Sequence, residues 1–215
     1  MYNAQILQDA FVDMVLQQKR NGFFLDIGAG QDGARGRPIN YFSNTYYFES
    51  LGWNGIIIDY DQYFISRASK ERNCTALCAD LMKENITEIL LKNNAPQHMD
   101  YLSFDVDDAT RKVLLDFDFK KYSFNVVTFE HNIYYHDTKP SHSTPKSQNA
   151  VELRKISRNL FLSNGYELLC EDVVFNHHGA VEDWYVHQDI LDDRIKNMKC
   201  SYTNCKEITK GAFNG

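Results

Sequence analysis

Short apolar runs recur along this chain, each closing on an acid or a glycine. The first, Phe23-Phe24-Leu25-Asp26-Ile27, breaks into Gly28, Gly30 and Gly33; the second, Ile56-Ile57-Ile58, ends at Asp59. A third, residues 74–78, stops before Asp80; residues 101–104 end at Asp105, and residues 124–129 end at Glu130-His131-Asn132. Their aromatic and β-branched character suits strands buried on both faces. Between them the apolar positions change to helical spacing. Ile6, Leu7, Ala10, Phe11, Met14 and Val15 predict a helix over residues 4–18, stopped by Asn21-Gly22. Further helices are predicted from Ser43 or Asn44 to 51, over 62–72, 83–93 and 110–115, and from Ser147 to Gly165 with Leu153, Ile156 and Leu160 on one face. Residues 166–175 and 183–187, around Asn176-His177-His178-Gly179, predict a closing antiparallel pair. Residues 133–146 are too irregular for an element and long enough to serve as a lid.

Strands alternating with helices imply an α/β domain with a mainly parallel sheet covered on both faces. A single domain over 1–215 is expected, with an N-terminal helix in 1–20, a core over 22–187 and an extension over 188–215 carrying no more than a short helix and a tail. In such sheets ligands bind beyond the carboxyl ends of the strands, where Asp26, Gly28, Asp59, Asp80, Asp105 and Glu130 fall.

Composition narrows the partners. The chain has 23 Lys and Arg against 29 Asp and Glu, for a net charge of −6, and no basic block interleaved with aromatics, which argues against nucleic acid. No apolar run approaches the roughly 20 residues that span a bilayer, and the first residues lack the order of a signal peptide, so a cytoplasmic protein is expected. The five cysteines form no CxxC pair and read as mostly reduced; Cys200 and Cys205 are the pair left open to redox chemistry.

Gly28-Ala29-Gly30-Gln31-Asp32-Gly33 matches GxGxxG, so a nicotinamide-dependent oxidoreductase is one reading. That reading needs a helix immediately after the loop to hold a pyrophosphate, and Gly36 and Pro38 oppose it. An S-adenosylmethionine site needs only backbone near the methionine end, an acid for the ribose and another for the adenine. A longer loop and a reversed final strand suit it better. A catalytically inactive fold that binds a partner is the third reading.

On these residues the chain resembles the FkbM-like S-adenosylmethionine-dependent methyltransferases, a Rossmann-like class. The similarity runs from about residue 8 to 187. It is carried by Asn21-Gly22-Phe23-Phe24-Leu25-Asp26-Ile27-Gly28-Ala29, Ser43-Asn44-Thr45, Leu51-Gly52-Trp53-Asn54-Gly55 and Tyr101-Leu102-Ser103-Phe104-Asp105-Val106-Asp107. Later come Phe117-Asp118-Phe119, Val126-Val127-Thr128-Phe129-Glu130-His131-Asn132, Asn164-Gly165-Tyr166 and Asp183-Trp184-Tyr185-Val186. The resemblance implies a mostly parallel seven-stranded sheet with an antiparallel last strand. It implies O-methylation of a hydroxyl on a sugar, glycoconjugate precursor or related small metabolite. It also implies that Asp26, Gly28, Ala29, Gly30, Ser43 and Asn44 face the methionine end, Asp59 the ribose, Asp80 the adenine and Asp105 the methyl group. Asp59 stands where that family usually has Glu, and Asp107-Asp108-Ala109-Thr110 replaces its Glu-Gly-Ala-Glu.

Methyl transfer is an in-line displacement governed by alignment, and an alcohol must also lose a proton. His131 is the expected base, oriented by Glu130 or Asp105; a structural histidine is the alternative. Asp105, Asp107, Glu130 and His131 are the candidate ligands of a magnesium or manganese ion. Arg35 and Arg37 are candidates for an anionic group on the acceptor, and Tyr134 and Tyr135, with His136 and His142, for an acceptor lid. Trp184 and Tyr185 read as core aromatics.

Overall fold

A computed structural model of the chain describes residues 1–30, 36–134, 145–175 and 179–210. Eight strands form one sheet: β1 (Phe23–Ile27), β2 (Asn54–Asp59), β3 (Thr75–Cys78), β4 (His98–Phe104), β5 (Ser123–Glu130), β6 (Tyr166–Val174), β7 (Ala180–His187) and β8 (Cys200–Ser201). Their order is β3-β2-β1-β4-β5-β7-β6-β8. β1 to β5 pair in parallel, β7 runs antiparallel between β5 and β6, and β8 lies parallel to β6. The expected seven strands are all present. The eighth is two residues long and has no run of its own in the sequence pattern.

Alternate side chains of the central strands point to opposite faces, and both faces are apolar. Leu25, Ile27, Ile56, Ile58 and Leu102 pack on one side beneath α4 (Ile86–Lys92), α5 (Thr110–Asp116) and α6 (Pro145–Ser163). Phe24, Ile57, Tyr101, Val126 and Trp184 pack on the other, against α1 (Gln8–Val15), α2 (Tyr46–Glu49) and α3 (Gln62–Glu71). Trp184 and Tyr185 are fully buried, as expected for core aromatics. Short helices α7 (Asp193–Lys196) and α8 (Cys205–Ile208) flank β8 in the C-terminal segment.

Several bounds move for local reasons. α1 begins at Gln8 rather than residue 4 because Leu7 is left-handed (φ 65°), and α4 waits for Asn85, whose side chain accepts from Glu88 N–H. The helix expected from Ser43 or Asn44 shrinks to one turn at 46–49, with Ser43 Oγ accepting from Tyr46 N–H at 3.1 Å. β7 starts at Ala180, so Glu182 joins the sheet interior, where it is 4% exposed. Gly33, Arg35, Tyr135, His136, His142, His177 and His178 lie outside the described residues. So does most of the proposed lid.

Candidate functional site

The strand order reverses between β1 and β4, and the acids gather on the carboxyl edge at that switch. Gly28 has φ +82° and donates its N–H to Ile58 O at 2.9 Å, while Ala29 N–H reaches the same oxygen at 3.3 Å. Gly30 N–H donates to Asp59 Oδ2 at 2.8 Å, and Asp61 N–H donates to Asp59 Oδ1 at 2.7 Å. The three loop amides are thus directed at the tip of β2. Asp59 reaches the loop despite its short side chain because Gly30 brings the backbone down to it; a Cβ on Gly30 would fall 2.8 Å from Asp59 Oδ2.

Asp26 points from β1 into a buried polar layer. Its Oδ2 accepts from Thr45 Oγ1 at 2.7 Å, and Thr45 Oγ1 in turn accepts from Arg72 at 3.0 Å. Arg72 also donates to Ser43 Oγ at 3.2 Å and to Glu49 at 2.7 Å. Burial raises the Asp26 carboxyl above its ordinary range, and Thr45 and Arg72 oppose that. Asn44 Nδ2 donates to Ser103 Oγ at 3.0 Å, which places Asn44 over β4. Asp80 sits apart at the β3 edge, paired with Lys83 at 2.8 Å, and this hydrogen bond holds its carboxyl below the ordinary range.

Asp105 and Glu130, at the tips of β4 and β5, bring one carboxylate oxygen each within 4.8 Å of the other, close enough that the two acids titrate together. Burial raises Asp105 to about 6, and burial followed by the charge of Asp105 raises Glu130 well above its ordinary range, so the pair favours holding one proton between them. Both line a cavity of about 260 Å³ with Gln5, Gln8, Asn44, Asn132, Tyr134 and Glu182. A second cavity of about 200 Å³, bordered by Asp107, Arg111 and Leu153, shares Glu130 and Asn132 with the first.

The N-terminal segment closes one side of the larger cavity. Gln8 Nε2 donates to Glu182 Oε1 at 2.8 Å, and Trp184 Nε1 to Glu182 Oε2 at 2.7 Å. Asp9 accepts from Asn3 N–H at 2.5 Å, Ala4 N–H at 3.1 Å and Ala10 N–H at 2.9 Å; Asp13 accepts from Tyr2 and Tyr47 hydroxyls at 2.7 and 3.0 Å. Gln5, Gln8, Asn132 and Glu182 were not singled out by sequence. The available signal was a pair of acids, Glu182-Asp183, inside an otherwise apolar strand.

His131 faces away from Asp105 and Glu130. Its Nδ1 accepts from Ile133 N–H at 3.1 Å, and its Nε2 lies 3.4 Å from both Asp172 Oδ1 and Asp183 Oδ1. All three are buried, at 1%, 0% and 0% exposure. Arg158 donates to Asp183 at 2.7 and 2.9 Å, and Arg154 to Asp172 at 2.8 Å. Asp172 occupies an irregular stretch of β6 with φ +53°. His131 borders the second cavity beside Glu130, while the acids its ring meets are Asp172 and Asp183 rather than Glu130 or Asp105. The expected metal set divides likewise. Asp105, Asp107 and Glu130 bring one oxygen each within 4.8 Å of the others, whereas His131 belongs to the arginine-filled cluster.

Arg37 is exposed, stacks over Tyr41 at 5.2 Å and borders neither cavity, while Tyr134 borders the larger. Among the described residues no helix is long and apolar enough to cross a membrane.

Comparison of the fold with solved structures gives three instructive matches. A protein from Staphylococcus aureus, provisionally assigned as a caffeoyl-CoA O-methyltransferase, has a TM-score of 0.54 at 12% identity, covering 84% of this chain and 82% of its own. One from Klebsiella pneumoniae, provisionally assigned as an O-methyltransferase, also scores 0.54, at 10% identity over 84% and 79%. The cofactor-bound Rv0187 from MTB scores 0.55 at 11% identity over 84% and 79%. The fold is that of a Rossmann-like methyltransferase. No protein-family model matches the chain, and no curated protein matches its sequence.

Proposed function

We propose that this Rossmann-like fold is an active S-adenosylmethionine-dependent methyltransferase of the FkbM-like kind, acting on a hydroxyl of a sugar, glycoconjugate precursor or related small metabolite. The observation that carries the reading is the acid-lined edge. Asp105 and Glu130 meet at the cavity with no lysine, arginine or histidine among its described lining residues, a setting suited to a sulfonium and poor for a pyrophosphate. The amides of Gly28, Ala29 and Gly30 point the same way, because they are already taken by Ile58 O and the Asp59 carboxylate and are not left to cradle a phosphate.

When bound, the cofactor supplies an electrophilic methyl on sulfur. Asp59 would take the ribose hydroxyls and Asp80 the adenine; the loop from Asp26 through Gly28, Ala29 and Gly30, with Ser43 and Asn44, would hold the methionine end. The Asp105–Glu130 pair would serve the acceptor: with its shared proton lost, it accepts the hydroxyl hydrogen. Asn132 and Tyr134 stand beside it to orient the acceptor. Arg35, Arg37 and Tyr135 remain proposed acceptor contacts.

Calorimetry with S-adenosylhomocysteine and with NADH tests the reading. Binding of the first alone is expected, and tight NADH binding without it would replace the proposal by an oxidoreductase. Cofactor binding with no transfer to any hydroxyl acceptor would favour the binding-module reading. The Asp105, Asp107 and Glu130 cluster supports a second reading, in which a divalent ion takes the place of the shared proton. Turnover lost in EDTA and restored by magnesium would assign the cluster to the ion; unchanged turnover assigns it to proton transfer.

A further inference from the structure

We infer that Cys170 and Cys200 form a site of reversible oxidation, closing to a disulfide that staples the C-terminal segment to the sheet. β8 holds its place through two residues, and its Cys200 is the register partner of Cys170 on β6. Neighbouring strands lie about 4.8 Å apart, and paired residues project to the same face. A disulfide spans Cα separations of roughly 4.4–6.8 Å, a range that contains the spacing of paired strands. The Cys170 thiol itself turns toward the chain leading into β8, donating to Met198 O at 3.8 Å.

The remaining cysteines are placed elsewhere. Cys205 is buried, with its Sγ 3.8 Å from Asn204 Oδ1, although it is nearer to Cys200 in sequence. Cys78 lies on β3 and Cys74 just before it, at the opposite edge of the sheet. The register pairing therefore favours Cys170–Cys200 over Cys200–Cys205, the pair the sequence left open to redox chemistry.

Access is asymmetric. Cys170 is fully buried and Cys200 half-buried, so a reagent meets Cys200 first. The neighbouring Cys170 thiol lowers the Cys200 thiol below its ordinary range, which favours the thiolate. With a peroxide as oxidant, the Cys200 sulfur attacks one oxygen, the O–O bond breaks, and a sulfenic acid and one water result. The Cys170 sulfur then displaces that oxygen from Cys200, the S–S bond forms, and the second water leaves with the Cys170 proton. Two thiols are oxidised and one peroxide is reduced to two waters. The closed loop includes Arg194, which donates to Met14 and Val15 carbonyls at 3.0 and 2.9 Å, so the staple also secures the end of α1.

The test is hydrogen peroxide titration of the full chain, followed by peptide mass mapping without reductant and by thermal unfolding. Expected are a linked peptide pair carrying Cys170 and Cys200, a loss of two hydrogen atoms reversed by dithiothreitol, and a midpoint raised by roughly 5–10 °C. Cys200→Ser should abolish the linkage and Cys205→Ser should retain it. The exposed Cys78 reports that oxidant was sufficient. A Cys200–Cys205 linkage, oxidation of Cys200 with Cys170 still free, or both thiols surviving a dose that oxidises Cys78 would each overturn the inference.

Discussion

Gly28 lies so tightly under Asp105 that a Cβ built on it would fall 1.5 Å from the Asp105 carbonyl oxygen. The first loop and the tip of β4 therefore share one space, and the left-handed φ of +82° adds a second demand for glycine. Gly28→Ala is expected to destabilise the protein by about 2–3 kcal/mol and to weaken S-adenosylhomocysteine binding. Denaturant unfolding and calorimetry measure the two effects. Full stability in the alanine variant would show that the loop can move away from β4.

Asp59 joins the loop to β2 by accepting from Gly30 N–H and braces the turn after β2 by accepting from Asp61 N–H. Charged hydrogen bonds contribute about 1.5–3 kcal/mol each, so Asp59→Ala should weaken S-adenosylhomocysteine binding at least tenfold. Asp59→Glu, the residue usual in the resembled family, should lose less only if the Gly30 backbone yields. Unchanged affinity in the alanine variant would remove Asp59 from the ribose site.

His131 tests brace against base. Replacing it with Ala leaves Asp172 and Asp183 facing each other with only the arginines between, and a stability loss of about 2 kcal/mol or more is expected. Arg158→Ala should cost about 3 kcal/mol. S-adenosylhomocysteine affinity should change little in either variant. If His131→Ala keeps its stability and abolishes turnover, the ring is the base after all.

Acids on the two sides of the sheet edge give opposite pH responses. Burial raises Asp9 to about 6 and Glu182 to about 7, so each takes up a proton on folding above its ordinary titration range near pH 4. Their contribution is fully present below about pH 4 and is lost as pH rises through 6 and 7. Asp183 runs the other way. Burial alone would raise it, but the adjacent His131 ring and the hydrogen bonds from Arg158 hold it below the ordinary range, so its contribution is lost as pH falls below about 4. In thermal scans Glu182→Gln should flatten the decline in midpoint between about pH 5 and 7. An unaltered slope would exclude Glu182 as its source.

Fold and site differed in how far they could be read from sequence. β1, β2, β4 and β5 announce themselves because a doubly buried strand must be largely apolar, while β3 at the sheet edge is half-exposed and shows as a short run before Asp80; the closing acids mark one edge. β8 could not be read, since a two-residue strand is specified by its partner on β6 rather than by its own pattern. The direction of His131 was hidden for a similar reason. Its partners Asp172 and Asp183 lie some 40 to 50 residues onward, and the positive φ of Asp172 on an irregular β6 alters the simple alternation of side chains. Gln5 and Gln8 belong to a stretch whose apolar spacing signals packing, so their place on a cavity wall emerged only with the tertiary fold.

That wall separates two kinds of inheritance within one chain. The floor bearing Asp105 and Glu130 belongs to the sheet and cannot vary without disturbing the core. Gln5, Ile6 and Gln8 belong to a leading stretch fastened by the carboxylates of Asp9 and Asp13. Sequence drift in that stretch can reshape what the cavity admits while the chemistry at its base stays fixed, so a graft of residues 1–8 between homologous chains becomes a way to exchange acceptor preference alone.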